Sequence, residues 1–489
     1  MLSLKSLSKL TTSSCGIFSL TFTSLLIPVS SIHASETAGI EEVIVTARKR
    51  EERLIDVPVS AAVLTQAEIE RYRTRDLGEL TERIPGVTIQ HGGGGAQGGN
   101  IEIRGVGNIA VDYGTDQPVS IVLDGMSFQR SHMLDTGFFD LQTLEVLKGP
   151  QAVYFGKNSP AGVIGVTSVS PVIGEDINGF IRASYELVTE DPVIEGGVSF
   201  TLSDTIAMRI AGRFQDMSGG WLENSAAPID AQQGDAFLGL PMYTDPALQP
   251  RGPSHDEYPA QEQTVVRWTT VWQPTDNFEA KLKVFYSESE QNDTARTILY
   301  GCADGVGGHP HFGASVFLWE DTTQTCGNSP RLKRNSALPP AGVINKAFGV
   351  DENDRFYNNF ENDLITLELN WDLGRYQITS LTGVWDYTHR EYTNYDYTSF
   401  AVVVSDQGER GDSFTQEFRL QSDFDGNFNF MVGVFYEDLW RELEAPVQIL
   451  PETLANVFGA SAPWPVADAY EGTYMMYHQI WDNDVESFS

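Results

Sequence analysis

From Asn178 onward the chain carries long segments in which apolar and polar side chains take turns one residue at a time. Ile206, Met208, Ile210 and Phe214 alternate with Ala207, Arg209, Ala211 and Arg213, and Phe278, Ala280, Leu282, Val284 and Tyr286 with Glu279, Lys281 and Lys283. Ile365, Leu367, Leu369 and Trp371 alternate with Thr366, Glu368 and Asn370, and Phe414, Phe418 and Leu420 with Thr415, Glu417, Arg419 and Gln421. A period of two belongs to strands. In a soluble sandwich the charged face would lie outside in water. In a membrane barrel the apolar face meets lipid and the charged face lines the lumen.

The connections choose between the two. Turns near Asp204, Pro274 to Asn277, Gly374 and Asp425-Gly426 are short, whereas Asp216 to Glu262, Glu290 to Asn362, Tyr392 to Gly411 and Glu442 to Asp484 are long. Tight turns on one side and extended loops on the other predict an antiparallel membrane barrel. No stretch reaches the roughly 18 apolar residues of a transmembrane helix, so any crossing must be made by strands. Trp268, Trp272, Trp371, Trp385 and Trp440, near strand ends, are candidates for an interfacial girdle. About nine complete strands and the start of a tenth at Asp484 are legible; ten strands tilted by about 40° would close to a diameter near 20 Å.

The N-terminus carries Lys5 and Lys9, an apolar core from Ile17 to Val29, and Ala34 before Ser35. This is the layout of a cleaved secretory signal over residues 1–34. Of three cysteines, Cys15 leaves with that signal, and Cys302 and Cys326 remain as an even pair in an exported chain, which reads as one disulfide. Lys+Arg is 32 against 67 Asp+Glu, a formal charge of -35, which excludes nucleic acid as a partner because such an interface needs a basic face.

Between these regions lies a small mixed α/β unit. Ser60 to Leu64 reads as a strand, Gln66 to Arg73 as a short helix, and Leu77, Leu80 and Ile84 as a second helix ending at Pro85-Gly86. Val87 to Gln90, Ile101 to Arg104, Val119 to Leu123 and Leu144 to Leu147 read as strands, with Asp124-Gly125 a turn. Gly93-x-Gly95-x-x-Gly98 lies between two strands with no helix to hold a pyrophosphate, and Asn158 stands where a phosphate loop needs Ser or Thr. Both read as flexible loops. No nucleophile with a base, paired carboxylates or metal quartet occurs at recognisable spacing, so no enzyme, metal site or cofactor is expected.

Ahead of this unit, Glu42-Val43-Ile44-Val45-Thr46-Ala47 is a short β-branched run followed by the charges Arg48 to Arg53. It has strand propensity but no neighbour of its own, which suits a peptide that adds itself to another protein's sheet edge. With this run, EEVIVTARKREERLIDVPVSAAVLT closely resembles the start of mature TonB-dependent outer-membrane receptors. The likeness continues to about Ser170 through Ile103-Arg104-Gly105, Leu123-Asp124-Gly125 and a segment in which Glu145, Lys148, Gly149, Pro150, Phe155, Gly156, Gly162 and Val163 fit the family's plug pattern.

The resemblance implies a fold and a set of roles. Residues 35–51 would be a periplasmic segment whose hexamer, the TonB box, binds a TonB-type energy-transducing protein. Residues 52–170 would be the plug, and 171–489 part of a transmembrane barrel. A plug of about 120 residues is roughly 35 Å across, too wide for ten strands, whereas a barrel of about 22 strands accommodates it. The chain is therefore expected to be the N-terminal part of a longer receptor or a truncated product. The family's plug arginines pair with acids on the wall; Thr143 stands where many members carry one, which leaves Arg104 as the latch. The resemblance further implies energy-coupled uptake of a ferric siderophore or another large nutrient, in a barrel set in outer-membrane lipid. The alternative is a passive porin or surface-binding barrel. His309 and His311, on the loop with the cysteines, are candidate contacts to a metal chelate.

Overall fold

In the computed structural model the described residues are 44–45, 49, 52–72, 79, 83–91, 99–107, 117–128, 139–156, 158–224, 253–292, 310–313, 317–320, 332–334, 338, 355–394, 403–426, 428–449 and 474–488. The signal segment, Cys302, Cys326 and His309 lie outside them.

The described residues begin with β1 (Ile44–Val45) and β2 (Glu52–Arg53), paired antiparallel. There follow β3 (Ser60–Thr65), α1 (Gln66–Tyr72), β4 (Val87–His91), β5 (Gly99–Ile103), β6 (Val119–Leu123), β7 (Met126–Phe128), β8 (Leu141–Lys148), α2 (Ala152–Phe155) and β9 (Gly162–Ser168). Five of these strands form a sheet in the order β3-β8-β9-β6-β7, with β6 and β9 parallel, while β4 and β5 make a separate hairpin. Every residue of β6 is buried, as befits a near-continuous apolar run between two neighbours. Thr65 caps α1, its amide and hydroxyl donating to Glu68 at 3.0 and 3.1 Å while Oγ1 accepts from the Glu68 amide.

The chain continues through β10 (Asn178–Glu186), β11 (Asp191–Ser203), β12 (Ile206–Met217), the short β13 (Leu222–Asn224) and β14 (Glu257–Tyr258), β15 (Gln261–Thr275) and β16 (Phe278–Gln291). Three further short strands, β17 (Pro310–Gly313), β18 (Phe317–Glu320) and β19 (Leu332–Arg334), precede β20 (Tyr357–Asp372), β21 (Tyr376–Asn394), β22 (Val403–Ser422), β23 (Met431–Ile449) and β24 (Tyr474–Phe488). The long strands make one 10-stranded antiparallel meander in chain order from β10 to β24.

The meander is inside out. On β12 the side chains of Ala207, Arg209 and Ala211 are buried while Ile210 and Phe214 are exposed; on β15 Val265, Arg267 and Thr269 are buried while Val266 and Trp268 are exposed. Apolar groups in open view beside buried arginines are unfavourable in water and favourable in lipid. The outward apolar face has an upper limit, because Ile365, Val384 and Phe414 are followed towards the long loops by Asp363, Asp386 and Asp412, which lie opposite one another across β20, β21 and β22. Strands β20 to β23 run well past that level, and they exceed the 9–11 residues or so needed to cross hydrocarbon.

That extension alters two expectations. Tyr392 to Gly411 reads as a loop, yet pairing continues to Asn394↔Val404, so the connection 395–402 is no longer than 423–430 on the opposite side. The connection 187–190 between β10 and β11, on the side of the extended loops, is short as well. The outer connections are also stitched together: β13 pairs antiparallel with β14 and parallel with β19, and Ser254 Oγ accepts from the Phe356 amide at 2.9 Å.

Aromatic side chains gather at the short-turn rim. Phe278 packs on Trp272 and Trp371, and Phe424 on Tyr376 and Phe430, with Trp272 and Trp371 exposed outward. Trp385 does not belong to such a girdle. It faces inward on β21, stacks on Tyr387 at 4.2 Å, meets Phe128 of β7 edge-on at 4.9 Å and donates from Nε1 to Asn362 at 2.7 Å.

Candidate functional site

The N-terminal sheet sits against the inner face of the meander. Ile121, Leu123, Met126, Phe128, Leu144 and Ile164 share one apolar core with Ala211, Val265, Phe285, Leu364, Trp385 and Tyr387 of the wall. The tip of the β6–β7 hairpin comes closest. At Gly125, with φ +89, a Cβ would fall 2.7 Å from Leu381, and at Gly383, mid-strand in β21, a Cβ would fall 2.7 Å from Met126 Sδ. Glycine at both positions lets plug backbone and wall backbone approach.

Charge fixes the same hairpin. Asp124, at its turn, accepts from Lys283 Nζ of β16 at 2.6 Å and lies 3.6 Å from Arg267 of β15. The amide and hydroxyl of Ser168 donate to the two carboxylate oxygens at 2.9 and 2.8 Å, and Lys283 also donates to Ser168 Oγ and its carbonyl. Burial by itself pushes the Asp124 carboxyl up, but Lys283, Arg267 and the hydrogen bonds from Lys283 and Ser168 outweigh it and hold the group below the usual carboxylate range. Asp140, just before β8, takes a bidentate grip from Arg209 of β12, Nε at 2.8 Å and Nη2 at 2.5 Å, while Nη1 donates to Ser199. Both aspartates have positive φ, +49 and +57, a conformation that Asp tolerates better than most side chains.

This reverses the expected latch. Arg104 sits exposed in the turn after β5, its amide donating to the Gly86 carbonyl at 2.7 Å, and among the described residues it forms no ion pair with the wall. Pairing of Ile103 with Val106 closes so tight a turn that the intervening side chain points outward. The acids are on the plug and the bases on the wall. In sequence Asp124 reads as a turn former and Lys283 as one more wet-face residue; the available signal was a lysine amid an inward row that an uncharged core would have to cover.

Among the described residues, the contact between Lys49 and Glu417 has the opposite polarity. Lys49 Nζ donates to both carboxylate oxygens of Glu417 on β22, at 2.9 and 2.6 Å, and lies 5.6 Å from the Phe155 ring centroid. Burial pulls the Lys49 ammonium below its ordinary range, and Glu417 only partly offsets this. Of the hexamer, Ile44 and Val45 pair with Arg53 and Glu52 in β1–β2, while Glu42, Val43, Thr46 and Ala47 lie outside the described residues.

The other singled-out positions shape the plug. Lys148 Nζ donates to the Pro85 carbonyl at 2.8 Å, the Gly149 amide to Ala161 at 2.9 Å, and Gly156 ends α2 with its amide on Ala152. Gly105 and Gly156 take positive φ in open turns, Pro150 is exposed beside Gly149, and Glu145 is buried in β8 opposite Val63 and Gly165. His311 lies in the β17–β18 hairpin opposite Trp319.

A meander with lipid-facing apolar groups, its inner wall pressed against a small α/β domain, defines an outer-membrane β-barrel protein with an N-terminal plug. The TonB-dependent Receptor Plug Domain family matches residues 53–163. Vitamin B12 transporter BtuB of Vibrio vulnificus (strain CMCP6) is 31% identical over 211 residues, which span 42% of this chain and 32% of that one. In fold the chain is similar to the ferric yersiniabactin uptake receptor FyuA from Yersinia pestis, with TM-score 0.55 at 15% identity, covering 80% of this chain and 50% of that chain. It is also similar to the ferripyoverdine receptor of the outer membrane of Pseudomonas aeruginosa, with TM-score 0.55 at 11% identity, covering 91% and 50%. The plug-family match over residues 53–163, the BtuB relative and these solved receptors together support a TonB-dependent outer-membrane receptor, and the chain spans about a third of the BtuB relative and half of these solved receptors.

Proposed function

We propose that the receptor carrying this chain takes up a scarce, large ligand across the outer membrane and draws the energy from a TonB-type periplasmic protein. The observation that carries the reading is the seated plug: its core is continuous with the wall, and charges from three wall strands close on Asp124 and Asp140. Separating buried ion pairs costs several kcal/mol each, of the order of 3–5. Passage past such a plug calls for work, not diffusion.

In this reading Glu42 to Ala47 is the handle, docked at rest through β1–β2 and the Lys49–Glu417 pair, and bound ligand favours the state in which it is free. A ferric siderophore is the favoured ligand, in keeping with the ferric yersiniabactin and ferripyoverdine receptors whose fold it shares, while the BtuB relatives make a corrinoid the chief competitor. Cys302 and Cys326 would brace the outer loop that carries His309 and His311. Replacing Ile44→Pro in the full-length receptor removes a backbone donor from the handle. Uptake should collapse, whereas unchanged uptake would leave a passive barrel.

A further inference from the structure

The polarity of the plug contacts carries more than a latch requires. Arg209, Thr269 and Lys283 lie directly opposite one another across β12, β15 and β16, with Arg267 one inward position further along β15. Three cations therefore share a patch spanning three neighbouring strands, about 10 Å wide. All three side chains are almost fully buried under Asp124 and Asp140, and Arg267 feels both carboxylates. Three strands beyond β16 in the same sheet, the buried charges of β22 include Glu409 and Glu417.

For holding a plug, either polarity would do. With bases on the fixed wall and acids on the moving plug, withdrawal leaves a cationic strip in the channel; the reverse would leave carboxylates. Cations left facing the channel without their counter-charges attract another anion to the same strip. Arginine forks arranged for carboxylates suit that exchange. We propose that Arg209, Arg267 and Lys283 form an anion-binding site, filled by the plug aspartates at rest and by carboxylates of the ligand during passage. This rests on the reading that uptake displaces the plug, and it narrows the ligand to one that carries several anionic groups.

The test uses the full-length receptor in planar bilayers, with the plug unseated by urea and citrate as the probe. Citrate added from the outer side should block the current saturably. Combining Arg209→Gln, Arg267→Gln and Lys283→Gln should raise the half-blocking concentration by about tenfold or more, a loss of about 1.4 kcal/mol, while Lys283→Arg preserves the block. Should the triple variant not assemble, Arg267→Gln and Lys283→Gln measured singly should each weaken the block. Asp124→Asn with Asp140→Asn should lower the urea needed and leave the citrate block intact. Equal block of the wild type and the triple variant, or no block of either, overturns the site. Uptake that survives Ile44→Pro would instead overturn energy coupling, an outcome that the citrate measurement does not share.

Discussion

Lys283, in the middle of β16, donates a 2.6 Å hydrogen bond to Asp124, a residue 159 positions earlier at the tip of a plug hairpin. The same ammonium holds both oxygens of Ser168, the last residue of β9, so one wall side chain grips two plug strands. Plug and wall are thereby a single folded unit at rest.

Removing the acid should be costlier than removing the pair. Asp124→Asn leaves Lys283 and Arg267 buried beside a neutral group and should loosen the plug by about 3–5 kcal/mol, whereas Asp124→Leu with Lys283→Met should cost much less. Hydrogen exchange of β6 and β8 against urea concentration measures both. Equal losses would mean that packing alone seats the plug.

Acid should release the plug late. The folded Asp124 carboxyl is held below its unfolded value, so its contribution is fully present above about pH 3.9 and is lost as pH falls through the lower folded value. The urea midpoint for exchange in β6 should lose its Asp124-dependent part only below about pH 4. Asp124→Asn should abolish that part of the fall.

The Lys49–Glu417 pair should be the softer of the two contacts, since one less buried ammonium makes it, whereas Asp124 is held by Lys283, Arg267 and Ser168 together. Glu417→Gln should speed hydrogen exchange in the peptide carrying Ile44 and Val45 by roughly tenfold, about 1.4 kcal/mol. Exchange in β6 should not change. An unchanged handle peptide would show that β1–β2 pairing suffices to dock it.

The barrel was legible because the alternation of Ile206, Met208 and Ile210 with Ala207, Arg209 and Ala211 is a local property of the chain. The plug was legible through motifs such as Leu123-Asp124-Gly125 and Lys148-Gly149-Pro150. The latch was not, because Asp124 meets Lys283 only through the rotational setting of plug in barrel, which no local pattern encodes. The resemblance points to Arg104, but the turn closed by Ile103 and Val106 leaves that residue exposed. Trp385 shares parity with the buried Leu381 and Tyr387 and faces inward with them, while Val384 beside it is exposed. Loop ends near Tyr392 and Glu442 are not legible in the sequence because pairing outlasts the apolar face.

The central claim is that transport requires the plug to part from the wall, and a reversible tether tests it. A Cβ at position 383 would lie 3.3 Å from Met126 Cγ, close enough for Met126→Cys and Gly383→Cys to be joined. Such a bridge pins the hairpin that carries Asp124. In the full-length receptor, uptake of ligand by cells should be lost when the bridge is oxidised and return on reduction. Undiminished uptake with the bridge intact would contradict the account.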